Sequence, residues 1–259
     1  MEKRWQVHKG DSPLIATAIH DGHVLRPEVA RIMALSEADR LREEDPFTGG
    51  WTTIAQNRIV VNHSRFEVDL NRPKEKAVYQ QPEDAWGLHV WKEPPSNEII
   101  NESLRSYDAF YKEVHQLFND MKSRFGRFVV FDLHSYNHRR EGPDGRLADP
   151  KQNPEVNLGT GTMERERWAP IIEQFITDLS LFDFLGQQLD VRENIKFRGG
   201  QFARWTHENF PRSACVLSIE FKKIFMDEWT GDPDPIKIGA LHRGLETTVP
   251  GVLETLRRM

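Results

Sequence analysis

Cysteine occurs once in the 259 residues, at Cys215, so no disulfide can close within the chain and a reducing, cytoplasmic setting is expected. Long apolar runs are missing: nowhere do about 18 apolar residues follow one another, the length a membrane-crossing helix needs. The stretch Met1–Gly10 carries Lys, Arg, Gln and His and no apolar segment, so no signal peptide is expected. Positive charge is not in excess either. The net charge is -5 and no Lys/Arg stripe stands out, which leaves no electrostatic case for a nucleic-acid partner. The chain lacks a Gly-x-Ser-x-Gly elbow, which weakens a serine hydrolase built on Ser64 or Ser135. Repeats, low-complexity tracts and linker-like shifts in composition are absent, so one domain over 1–259 is expected, with its oligomeric state open.

What the sequence does have is 38% apolar residues beside 29% charged ones, enough for a core under a well-solvated surface. Four short runs rich in β-branched and aromatic residues read as buried strands: Leu14–Ile19, Ile59–Val61, Phe128–Phe131 and Val216–Phe221. Helical spacing marks Pro27–Leu41, Asn101–Phe125, Glu164–Leu181 and the tail from Ile236, where Pro250 fits awkwardly. Strands alternating with helices predict an α/β fold, a mostly parallel or mixed central sheet with helices on both faces. In such sheets ligands bind beyond the carboxyl ends of the strands.

Ionisable residues gather at those ends. Leu14–Ile19 runs into His20, Asp21 and His23, Phe128–Phe131 runs into Asp132 and His134, and Glu220 interrupts an otherwise apolar run. The loop Arg42–Trp51 adds Glu43, Glu44 and Asp45. A catalytic zinc takes three His or carboxylate ligands and keeps one position open, which two strand-end histidines and one loop carboxylate would satisfy. Asp132 and His134 share a side of a strand, so the carboxylate can orient the ring. Each residue alone has an ordinary reading: a strand-end histidine is usually hydrogen-bonded, the acidic loop solvated, and Glu220 paired with Lys222 or Lys223. Their convergence on one sheet edge favours a site. The segment His63–Arg72 places Arg65, Asn71 and Arg72 where they can fork a carboxylate or face water as a charged edge. Arg198 precedes Gly199 and Gly200, which allow either close approach to a ligand or a plain turn.

The ordered set His20-Asp-Gly, Asp69-Leu-Asn-Arg72, Asp132-Leu-His-Ser135, Arg198-Gly-Gly200 and Ile219-Glu220 resembles the N-formylglutamate amidohydrolase family, over about Ser12 to Lys223. The resemblance implies a phosphorylase/hydrolase-like fold of the zinc carboxypeptidase kind. It implies one Zn2+ on His20, His134 and a carboxylate between them, here Asp45, with Glu44 as the alternate. Glu220 matches the carboxylate that works on the attacking water, and Arg65 or Arg72 is expected to steady the developing oxyanion. Arg65, Asn71, Arg72 and Arg198 match the groups that grip a carboxylate-bearing amide. Two departures stand out. Ile19 and Asp21 flank His20 where the family commonly reads Pro-His-Ser-Gly, and His23 adds a His-x-x-His spacing that offers a different third ligand. The Glu-Glu-Asp-Pro stretch around Asp45 also leaves the family pattern. Alternatives are a metallo-carboxypeptidase or amidase acting on a short peptide or cell-wall fragment, and a non-catalytic metal- or ligand-binding homologue. Manganese, cobalt or iron suits the same ligands.

Overall fold

The computed structural model describes residues 3–259, so Met1 and Glu2 of the polar N-terminal stretch lie outside it. The first elements are β1 (Trp5–His8), β2 (Leu14–Ala18), α1 (Pro27–Ile32), α2 (Glu37–Glu43), α3 (Thr48–Trp51) and β3 (Asn57–Val61). There follow α4 (Asn97–Phe125), β4 (Phe128–Tyr136), β5 (Val156–Gly159), α5 (Arg165–Leu181) and a small hairpin of β6 (Asp183–Phe184) and β7 (Gln187–Gln188). The last are β8 (Val191–Glu193), α6 (Gln201–Asn209), β9 (Ala214–Lys222) and α7 (Pro235–Arg258). Seven strands form one mixed sheet in the order β1-β3-β2-β4-β9-β5-β8. Its centre, β3-β2-β4-β9, is parallel, whereas β1 and β5 run against β3 and β9.

Strand alternation sends neighbouring side chains to opposite faces, and each face meets its own helices. Val129, Phe131, Cys215 and Leu217 pack with Ile172 and Phe175 of α5 and Leu241 of α7. The intervening Phe128, Val130 and Val216 pack with Phe110 and Phe118 of α4 and Phe202 of α6. Burying each such side chain stabilises the fold by about 1.5–3 kcal/mol. Cys215 is fully buried in the first of these cores, and burial pushes its thiol up. On the second face the pattern changes partway along the strands. Ile15, Val130 and Val216 are followed on the same side by Thr17, by Asp132 and His134, and by Ser218 and Glu220. A polar patch therefore opens at the carboxyl end of a sheet that is apolar at its other end.

Several predicted boundaries move. The helix expected over Pro27–Leu41 is two helices, because Met33 is extended and Ser36 starts α2 with a capping box to Asp39. The third and fourth apolar runs belong to longer strands, which puts His134 inside β4 rather than past it and leaves Glu220 inside β9 as expected. Pro250 sits within α7 on its exposed side, where water can reach the carbonyl it leaves unpaired. β1, β5 and β8 are too short to announce themselves in the sequence. Among the described residues no helix is long and apolar enough to cross a membrane.

Candidate metal centre

His20 follows β2, His134 lies on the adjacent β4, and the loop after α2 brings Asp45 between them. The Asp45 backbone N–H bonds to the His20 carbonyl at 2.9 Å, which fixes where the loop meets the strand end. Asp45 Oδ2 then lies 3.4 Å from His20 Nδ1 and 3.0 Å from His134 Nδ1. Its other oxygen accepts the Ser135 hydroxyl at 3.1 Å. All three side chains are buried.

Carboxylates stand behind both rings. His20 Nε2 is 2.8 Å from Asp69 Oδ1, and His134 Nε2 is 3.1 Å from Asp132 Oδ2. Asp132 is itself held by the Thr17 hydroxyl at 2.8 Å. These partners favour a proton on each Nε2, which leaves the Nδ1 lone pairs turned toward Asp45. Metal–ligand bonds of about 2.0–2.2 Å at tetrahedral angles space ligand atoms roughly 3.3–3.5 Å apart. The separations here suit that spacing, and His20 Nδ1 is buried without a hydrogen-bond partner. The donor set therefore fits a divalent cation.

Electrostatics point the same way. Burial opposes a charge on His134, yet Asp132, Asp45 and Glu220 hold its pKa well above the usual histidine value. Burial would also raise the Asp45 carboxyl, but His134 and His20 bring it well below the usual range. The cluster is rich in negative charge that a proton or a metal ion must offset. Glu220 faces His134 at the same register of the parallel β4/β9 pair, so the two share a side of the sheet. Burial raises its carboxyl to about 7.

The alternate ligands turn elsewhere. Glu44 receives the Ser64 hydroxyl, and its second oxygen meets His23 Nδ1 at 2.5 Å. Glu44 and His23 thus hold each other outside the His20–Asp45–His134 group. Neither lysine pairs with Glu220: Lys222 donates to the Asn153 carbonyl, and buried Lys223 to the carbonyls of Arg42 and Glu44. Lys223 so pins the loop that carries Asp45, and burial lowers its pKa to about 8.

A cavity of about 220 Å³ opens over the cluster, and Arg65, Asn71, Arg198 and Glu220 line it. Arg65 is locked by Asp69 at 2.7 Å and by the Glu43 carbonyl at 3.3 Å. Asn71 spends its Oδ1 on the Phe202 N–H at 2.9 Å, in the first turn of α6. Gly200 makes this possible, because a Cβ there would lie 2.3 Å from Asn71 Oδ1. Arg72 does not line the cavity; its guanidinium stacks 5.3 Å from the Tyr79 ring centre and 5.7 Å from Trp86.

A family model described as N-formylglutamate amidohydrolase matches residues 12–226. The chain belongs to the N-formylglutamate amidohydrolase family. It shares its fold with the N-formylglutamate amidohydrolase from Ralstonia eutropha JMP134, at 15% identity and TM-score 0.74 over 98% of each chain. A gene product from Agrobacterium tumefaciens gives 15% identity and TM-score 0.67 over 96% of each chain. No curated protein matches the sequence.

Within this N-formylglutamate amidohydrolase family member, four residues of the site went unassigned in the sequence reading. Asp69 backs His20, Lys223 pins the loop, and Trp86 and Arg140 line the cavity. Trp86 holds φ 55, a left-handed conformation costly for a bulky residue and common at ligand sites. Asp69 was within reach, because it stands four residues after Arg65 inside the Asp-Leu-Asn-Arg motif. The other three gain their positions through approaches distant in sequence.

Proposed function

We propose that this amidohydrolase is zinc-dependent and cuts the amide of N-formylglutamate or of a related N-acyl amino acid. The reading is carried by the convergence of His20 Nδ1, Asp45 Oδ2 and His134 Nδ1, with Asp69 and Asp132 behind the rings. Zinc held by His20, Asp45 and His134 would supply a Lewis acid for the amide carbonyl and lower the pKa of a water. Glu220, beside His134 on the next strand, takes the proton of the attacking water and returns it to the leaving nitrogen. Its raised pKa suits a group that must both accept and give a proton near neutrality. Arg65, immobilised by Asp69, presents a fixed positive charge to the carbonyl oxygen as that atom becomes negative. Asn71 donates to the substrate near the amide and helps set its distance from the centre, while Arg198 holds a substrate carboxylate farther out. Arg72 acts on the wall, steadying Tyr79 and Trp86 through its stacking.

Elemental analysis of the purified protein, beside an assay on formylglutamate, acetylated acidic amino acids and dipeptides, tests the reading. The expected result is about one zinc per chain, with formylglutamate turnover that chelation abolishes and zinc restores. Turnover that survives chelation, or that is confined to dipeptides, would overturn it.

A further inference from the structure

Positive charge around the cavity divides by depth. Arg65 is paired with Asp69, while Arg42 gives Nη1 to Glu43 at 3.1 Å and lies 3.9 Å over the Trp229 ring. Arg198 and Arg140 also line the cavity, and both are exposed. The carboxylate nearest Arg140 among the described residues is Glu43 at 3.9 Å, already held by Arg42 and by Asn137 Nδ2 at 3.0 Å. The rim therefore offers two guanidinium groups whose charge the protein leaves largely unmatched.

The stem that carries Arg140 is firmly tied. Glu228, a buried carboxylate, accepts the backbone N–H groups of His138 at 3.1 Å and Arg139 at 2.7 Å. Trp229 Nε1 and Arg42 Nη2 donate to the Arg139 carbonyl at 2.9 and 3.3 Å. A guanidinium that starts from a fixed backbone loses less freedom when it binds an anion. Glu228 and Trp229 lie just past the stretch matched to the family.

We propose that Arg140 is a specificity-determining residue that, with Arg198, grips a carboxylate on the part of the substrate farthest from the scissile amide. This rests on the carboxylate-bearing substrate proposed above. For an N-acyl acidic amino acid, the gripped group is the side-chain carboxylate.

Glutamate and glutamine differ only at that group, a carboxylate in one and a neutral amide in the other, so calorimetric binding of both to zinc-loaded wild type, Arg140→Ala and Arg140→Lys isolates it. Wild type should favour glutamate, Arg140→Ala should cut the glutamate-to-glutamine ratio about tenfold or more, and Arg140→Lys should keep part of it. Thermal unfolding checks that the variants fold. An unchanged ratio in Arg140→Ala, no preference in wild type, or no binding of either amino acid overturns the proposal. Formylglutamate hydrolysis, measured in parallel, separates the two readings. An Arg140-dependent preference without hydrolysis keeps the grip and ends the catalytic reading. Hydrolysis with an Arg140-independent preference does the reverse.

Discussion

Asp69 shows how one buried side chain can serve several neighbours. Its carboxylate meets His20 Nε2, Arg65 and the Tyr79 hydroxyl, and it accepts the Asn71 N–H at 2.8 Å. Burial alone would raise its pKa, but Arg65 and His20 hold it well below the ordinary carboxylate value. Asp69→Asn should loosen the His20 ring and weaken zinc binding about 10- to 100-fold, read by competition with a chelating dye. Glu220→Gln, by contrast, should bind zinc and fold normally while losing at least about 100-fold in kcat. A near-normal rate in that variant would remove Glu220 from its role.

At the scale of elements, the parity of β2, β4 and β9 decides most of the architecture. Apolar runs marked the strand cores, and the polar residues ending them marked the edge that carries the candidate site, because both follow from the alternation of a strand. Asp45 was preferred to Glu44 but not separable from it in the sequence, since which neighbour enters the site depends on Lys223 and His23 gripping the loop from elsewhere along the chain. Arg72 was expected to grip the substrate carboxylate but stacks on Tyr79 and Trp86 instead, the latter fixed by a turn whose course no periodicity betrays. The junction of α6 with the Asp69–Arg72 segment is equally tertiary. Gly200→Ala would drive a methyl into Asn71, so KM should rise severalfold with little change in zinc content.

Two predictions concern the whole molecule. Removing zinc should lower the thermal midpoint as well as activity, because ligand held 1,000-fold above its dissociation constant stabilises a fold by about 4 kcal/mol. Acid should act through His207, whose Nε2 accepts the Val216 N–H at 3.1 Å and whose pKa burial lowers from 6.5 to about 4. The unfolded chain takes up that proton below about 6.5 while the folded chain refuses it until about 4. Stability is therefore complete above that window and falls by up to roughly 3 kcal/mol as pH drops through it. Urea unfolding near pH 7 and near pH 5 should show this loss, and His207→Gln should flatten it.

Cys215 sits on β9 five residues before Glu220, sealed between sheet and helices. A thiol reagent can modify it only when that layer parts, so the chain carries its own clock for the opening of its central strand. Labelling rates with and without added zinc would show whether an ion on the proposed ligands slows that opening.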